Sequence, residues 1–268
     1  MVALNLVCET VGSGLPLVVL HGLFGSGSNW RSVARELAAT HSVISVDLRN
    51  HGGSPWADSM DYDEMAGDVL QLIERLKLDR PMLMGHSMGG KVAMALALRH
   101  PGRIGGLIVV DIAPISYADT LTPFAEAMRG ADVMAAASRA EVRRRLEQKA
   151  PDPEVVPFLM QNLVARNDHF DWRLNLVGIG QAMPQLCAFP SALLGLRFDG
   201  PVTVIAGQDS DYVVGHDRAA FEPMFSRVEF EVIENAGHWV HADQPGAFLA
   251  SVRQTLLRDS QPSVAQSN

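Results

Sequence analysis

Ser87 stands in Gly85-His86-Ser87-Met88-Gly89, a G-x-S-x-G pentapeptide, and His238 stands near the far end of the chain in Asn235-Ala236-Gly237-His238-Trp239. A serine hydroxyl is a weak nucleophile at its own pKa. It attacks a carbonyl only when a neighbouring base takes its proton. The pentapeptide follows an apolar run, Pro81-Met82-Leu83-Met84, and opens a helix-like stretch, Gly90 to Leu98. A sharp turn between strand and helix projects the hydroxyl clear of the backbone, and flanking glycines leave room for the bend. The first N–H groups of such a helix can hold an anion beside it. The bland alternative is a glycine-rich turn with an idle serine.

The base is expected in the loop after the last strand, where Gly237 lets the chain bend and His238 reach back over the sheet. His241, three residues on, is the competing choice and is expected at the start of the last helix, solvated or beside the site. His86 is expected to point away from Ser87 and to serve packing or hydrogen bonding. His51 and His100 fall in turns and are expected in solvent, and His216 starts a helix as a partial cap. Acyl chemistry also needs two backbone N–H groups aimed at a developing oxyanion. Met88 N–H follows the nucleophile, and Leu23 N–H lies in His21-Gly22-Leu23-Phe24-Gly25, after the first parallel strand. The side chains of Leu23, Phe24 and Met88 then remain to line an acyl pocket. Asp47-Leu48-Arg49-Asn50-His51-Gly52-Gly53-Ser54 reads as a structural turn, with Asp47 and Ser54 bonding turn amides.

The elements that must position these groups follow a βαβ rhythm. Strands are expected at Leu4 to Thr10, Pro16 to Leu20, His41 to Leu48, Pro81 to Met84 and Ile104 to Ile112, alternating with helices at Ser28 to Ala39, Tyr62 to Leu76 and Gly90 to Leu98. From about Ile115 to Leu196 the patterns are helical, broken by Pro and Gly, with no convincing strand. The rhythm resumes at Pro201 to Ala206, with a helix at Asp217 to Phe225, a strand at Val228 to Ile233 and a last helix at Gly246 to Leu257. The fold class is therefore α/β, a mostly parallel sheet with helices on both faces. Its core spans 1–114 and 197–259, a helical cap spans 115–196, and 260–268 is a Ser/Gln-rich tail expected to be disordered.

Composition narrows the partners. The 268 residues carry a formal net charge of -8 and are 47% hydrophobic, enough for one large buried core and without the basic face of a nucleic-acid binder. Cys8 and Cys187 suggest neither a disulfide framework nor a zinc site. The N-terminus lacks a basic region with a cleavage site, and no apolar run approaches the roughly 20 residues that span a bilayer. A cytoplasmic protein with no membrane partner is expected; the sequence leaves its oligomeric state open.

HGLFGS (21–26), DLRNHGGS (47–54), GHSMGGK (85–91), VDIAP (110–114) and AGHWVH (236–241) together resemble the α/β-hydrolase fold family from Leu4 to Leu257. The resemblance implies a carboxylic-ester hydrolase with a helical cap, no cofactor and no metal, and tolerance of thioesters such as acyl-CoA. It also raises a difficulty. Many members place the acid three residues after the glycine that ends the strand before the final helix–strand pair. Here that glycine is Gly207 and the residue is Ser210, flanked by Asp209 and Asp211. A one-residue shift in an extended loop reverses side-chain direction, so neither neighbour substitutes automatically. The family's other position ends the strand after the elbow helix, where Asp111 stands. Asp111 is therefore the preferred partner of His238, with the Ser210 hydroxyl as auxiliary and Asp209 and Asp211 as alternatives.

The cap should lie over Ser87, because it leaves the core at the C-terminal edge of the sheet. Phe24, Phe124, Met128, Phe158 and Trp239 are the expected substrate contacts for a small-molecule ester. Met134, Leu159 and Met160 are further candidates, most of these cap residues serving to pack it. Arg143-Arg144-Arg145 is read as a solvated helix face rather than a phosphate site. Serine at position 87 argues against an epoxide hydrolase or dehalogenase, which would place Asp there. A perhydrolase, a C–C bond hydrolase and a non-catalytic binding protein remain as competing readings.

Overall fold

The computed structural model describes residues 3–213 and 215–259. β1 (Cys8–Val11) forms an antiparallel edge against β3 (His41–Val46), and β2 (Leu15–Leu20) pairs in parallel with β3 and with β4 (Met82–His86). β5 (Gly106–Val110) lies parallel to β4. The crossovers carry α1 (Arg31–Leu37), α2 (Tyr62–Arg75) and α3 (Met88–Arg99). The chain then leaves the sheet after β5 and builds an insert. This holds α4 (Thr122–Arg129), α5 (Arg139–Glu147), α6 (Val156–Leu159), a hairpin of β6 (Leu163–Ala165) and β7 (Phe170–Trp172), and α7 (Leu176–Cys187). β8 (Phe198–Gly207) and β9 (Phe225–Ile233) complete the sheet in parallel, and α8 (Val240–Asp243) and α9 (Pro245–Asp259) follow. The strand order is β1-β3-β2-β4-β5-β8-β9.

Strand alternation divides the interior into two layers. Val18, Leu20, Leu83, Leu107 and Val109 pack on one face with α2 and α3 residues such as Val69, Leu72, Val92 and Leu96. Leu17, Val19, Met84, Ile108 and Val110 pack on the other with Val33 and Leu37 of α1 and Phe248, Val252 and Leu256 of α9. Strands buried on both faces read as continuous apolar runs, which is why β2 and β5 were conspicuous. α2 starts on a capping box: Asp61 accepts the Glu64 N–H at 2.8 Å and the Glu64 carboxylate accepts the Asp61 N–H at 3.2 Å.

Two expectations need correction. The insert is not wholly helical, since β6 and β7 pair as Leu163↔Trp172, Val164↔Asp171 and Ala165↔Phe170. Strands this short leave no usable period. The hairpin is held from outside, by Arg139 donating to the carbonyls of Leu163 at 2.8 Å and Met160 at 2.5 Å. In place of the helix at Asp217 to Phe225 there is a 3-10 turn, Gly215–Ala220, and β9 begins at Phe225. Pro223 lacks the N–H that a helix would need there. Expectations for the His216 side chain and for the tail 260–268 fall outside the described residues. Among the described residues no helix is long and apolar enough to cross a membrane. Both cysteines are free.

Candidate active site

Non-glycine residues at positive φ recur in the loops at the C-terminal edge of the sheet, among them Phe24 (60°) after β2, Ser87 (51°) after β4 and Asp111 (50°) after β5. Each such residue costs on the order of 1–3 kcal/mol and survives only where its surroundings over-determine it. At Ser87 the N–H donates to Val110 O at 3.0 Å, and the carbonyl accepts from Gly90 N–H at 2.9 Å and Lys91 N–H at 3.2 Å. A Cβ on Gly85 would overlap the Gly89 carbonyl, and one on Gly89 would lie 2.6 Å from the Leu20 and His21 oxygens. The glycines of the pentapeptide are thus required by close backbone approach. Asp111 is pinned by its own N–H to Ile205 O at 2.9 Å.

The Asp111 carboxylate is fully buried and satisfied on both oxygens. Oδ1 accepts the Gly207 N–H at 3.0 Å; Oδ2 accepts the Ser210 hydroxyl and, at 2.7 Å, His238 Nδ1–H. With Nδ1 donating, Nε2 is left with its lone pair, the tautomer a general base requires. Ser210 Oγ also accepts the Tyr212 N–H at 3.2 Å, so one hydroxyl links the loop after β8 to the carboxylate. Asp209 and Asp211 are exposed, and among the described residues neither makes a hydrogen bond or ion pair with His238. The Tyr212 ring stacks on His238 at 3.9 Å between centroids and 22° between planes. An aromatic residue two places after Ser210 belongs to no motif, so the sequence alone does not mark Tyr212.

His86, His51, His21 and His241 are held by packing or hydrogen bonds around the site loops. His86 turns from Ser87 and donates from Nε2 to the His238 carbonyl at 2.8 Å, anchoring that loop. His51, expected in solvent, is fully buried: Nδ1 donates to Arg49 O at 2.9 Å, and Nε2 accepts the Phe24 N–H at 3.3 Å. His21 donates to Gly22 O at 2.8 Å and accepts the Leu48 N–H at 3.0 Å. His241, expected solvated or beside the site, packs on Trp30 with ring centroids 4.6 Å apart. Burial pushes His21 and His241 down to about 4 and His51 to about 3; burial, then the neighbouring His238 and His241, lowers His86 well below the ordinary range. His100 is exposed, as expected.

Ser87 and His238 face one cavity of about 240 Å³, lined also by Leu23, Phe24, Phe124, Phe158, Trp239 and Tyr212. Phe158 and Trp239 meet at 5.7 Å across its rim. Thr120, Leu121 and Val155 line it as well, from loops whose sequence gave no signal. Met128 does not line it: the side chain is fully buried inside the insert, and its carbonyl accepts Trp172 Nε1–H at 3.0 Å. An amphipathic helix has one inward face, and on α4 Met128 belongs to the packing stripe with Ala125. Leu159 and Met160 are likewise packed inside, and Met134 is exposed. Arg143 and Arg145 pair with Glu147 and Glu141 on their own helix. Among the described residues neither the Leu23 nor the Met88 N–H has a hydrogen-bond partner, while Leu23, Met88 and Ser87 border one small chamber. The 47–54 turn bonds as a structural element: Asp47 accepts the Gly27 and Gly53 N–H groups at 2.7 and 2.8 Å. Arg49 forks onto buried Asp68 at 2.7 and 3.0 Å.

A serine on a strained strand–helix turn, sharing a cavity with a carboxylate-bound histidine above a mostly parallel sheet, fits the site plan of an α/β hydrolase. The chain belongs to the alpha/beta hydrolase family, whose family model matches residues 17–252. Over 254 residues it is 35% identical to the sn-1-specific diacylglycerol lipase ABHD11 of Danio rerio, covering 92% of this chain and 80% of that protein. It is 34% identical over 245 residues to the esterase YbfF of Escherichia coli (strain K12), with 90% and 92% covered. The solved structure of a marine microorganism esterase superposes with a TM-score of 0.90 at 33% identity, over 94% of this chain and 99% of that one.

Proposed function

We propose that the protein is a serine carboxylesterase working through an acyl-enzyme on small to medium acyl esters. Ser87 Oγ attacks the ester carbonyl while His238 Nε2 takes its proton. Asp111 holds the imidazole in the required tautomer and stabilises the imidazolium, with Ser210 fixing the carboxylate in turn. The Leu23 and Met88 N–H groups receive the tetrahedral oxyanion. His238 then protonates the leaving alcohol, and water hydrolyses the acyl-Ser87 ester by the same route. Every group in this cycle comes from the chain.

The reading rests above all on the 2.7 Å contact between His238 Nδ1 and Asp111 Oδ2, made beneath a cavity that Ser87 shares. The insert, 115–196, acts as a cap over the core segments 1–114 and 197–259. Phe124 and Phe158 from the insert meet Phe24 and Trp239 from the core around the bound ester. Such a lining excludes water and strengthens each electrostatic contact within.

The test is hydrolysis of p-nitrophenyl esters of increasing chain length, run beside acyl-CoA thioesters. Wild-type turnover of the esters, with kcat of Asp111→Asn lower on the order of 10⁴-fold, is the expected result. A near-wild-type Asp111→Asn overturns the assignment of the acid.

A further inference from the structure

Two spaces meet at Ser87. The larger, about 240 Å³, is bordered by His238 and Trp239. The smaller, about 30 Å³, is bordered instead by Met88, Lys91, Tyr62, Tyr117 and Leu186. In ester hydrolysis the group that protonates the departing alcohol must face its oxygen. His238 borders only the larger space, so the alcohol lies there and the acyl arm points the other way, past Met88 and into the small chamber.

The chamber contains an unusual group. Lys91 is only 2% exposed, and its Nζ donates to Cys187 O at 3.2 Å and Ala188 O at 3.0 Å. It lies 4.9 Å from the Tyr117 ring centre and 5.6 Å from that of Tyr62. Those phenols are engaged elsewhere, Tyr62 donating to Leu186 O and Tyr117 to Tyr212 O, each at 2.6 Å. An ammonium carries three N–H donors, and the two carbonyls take two of them. Among the described residues no carboxylate stands within 4.0 Å of Nζ. A buried cation without a counter-ion is costly, and a substrate anion would supply one. The other titratable groups at the chamber are the Tyr212 phenol and the Cys187 thiol, each pushed up by burial, with the Asp119 carboxylate bonded to that thiol beyond it. Burial pushes Lys91 down to about 8, which leaves it mostly charged at neutral pH.

We infer that the Lys91 chamber is the acyl subsite and selects a short acyl arm ending in a carboxylate. The inference rests on the serine-esterase reading. On this measure a water occupies about 10–15 Å³, so the chamber admits an arm of roughly two to four carbons. The bland account gives Lys91 a purely mechanical task, fastening the C-terminal end of α7 to α3. A fastener is indifferent to the charge on the acyl arm, and the experiment turns on that difference.

kcat/KM is measured for benzyl hydrogen malonate and benzyl hydrogen succinate against benzyl butanoate and benzyl pentanoate, following benzyl alcohol release. At pH 7 the wild type is expected to favour the carboxylate-ended esters by about 10- to 100-fold, the range of one charge-assisted hydrogen bond. In Lys91→Met the ratio of anionic to neutral ester falls by about the same factor. In the wild type the ratio also falls as pH rises through about 8, because Lys91 is charged below that pH and neutral above it. Ionisations that affect both esters alike cancel in the ratio. Equal or better use of the neutral esters by the wild type overturns the inference, whether or not Lys91→Met folds. A ratio unchanged in folded Lys91→Met also overturns it and leaves Lys91 a fastener. Failure of the esterase reading is distinct: no ester of the four is turned over, or turnover survives in Ser87→Ala.

Discussion

The sheet-edge loops and the insert face each other across one cavity, and they are made differently. On the sheet side Phe24, Ser87 and Asp111 sit at strand ends in left-handed backbone, each locked by main-chain hydrogen bonds or tight glycine contacts. On the insert side the short helices α4 and α6 present Phe124 and Phe158, beside a hairpin of three-residue strands. The two sides are joined by a few buried polar bonds. Asn162 Nδ2 donates to Phe24 O at 2.7 Å, and the Tyr62 hydroxyl and Lys91 ammonium reach carbonyls at the end of α7. Groups that must be placed to a fraction of an ångström belong on rigid strand ends, whereas a surface that selects substrate by fit can stand on less regular ground.

That contrast predicts where substitutions act. The largest effect falls on the sheet side: Ser87→Ala should lower kcat on the order of 10⁶-fold, measured with p-nitrophenyl esters. In the same assay Asp209→Asn and Asp211→Asn should stay within about twofold of wild type, against the loss of about 10⁴-fold expected for Asp111→Asn. On the insert side Phe158→Ala should alter KM and the chain-length profile by about tenfold or less, with kcat for the preferred ester nearly kept. Equal kcat losses on both sides would erase the distinction.

Stability should divide the two regions as well. His21, His51, His86 and His241 lie beneath the sheet-edge loops and are held neutral by burial. Unfolded, they bind protons below about pH 6.5. Their contribution is therefore complete above pH 6.5 and is lost as pH falls toward the folded values of about 4 for His21 and His241 and about 3 for His51. Each withdraws up to about 2 kcal/mol between pH 7 and 5, so the urea midpoint should drop over that interval, before carboxylates titrate. A midpoint flat from pH 7 to 5 would contradict their placement. The smallest effect belongs to the outer face of the insert, where Arg143→Ala, removing an exposed pair with Glu147, should shift stability by no more than about 0.5 kcal/mol.

The same contrast explains what was legible in the sequence. Strands buried on both faces and loops forced to use glycine leave marks in residue type, so β2, β4, β5 and the Ser87 turn could be read directly. Asp111 could be singled out because the family resemblance offers the end of the strand after the elbow helix as an acid position, while the reversal of side-chain direction from one residue to the next counts against Asp209 and Asp211. The insert left weaker marks. Met128 and Phe124 share α4, and nothing in their residue types tells the packed face from the one that lines the cavity. His51 looked like a turn residue in solvent, because the element that buries it, around Leu174, lies more than a hundred residues away. Tyr212 acts through a stacking contact across the chain, and no local pattern encodes it.

The central claim is that Ser87 forms the covalent intermediate, and intact-protein mass spectrometry after treatment with an organophosphonate tests it most directly. The account predicts one phosphonyl group per chain, located at Ser87, absent from Ser87→Ala and formed far more slowly in Asp111→Asn. An unlabelled wild type, or a label that persists in Ser87→Ala, would contradict it.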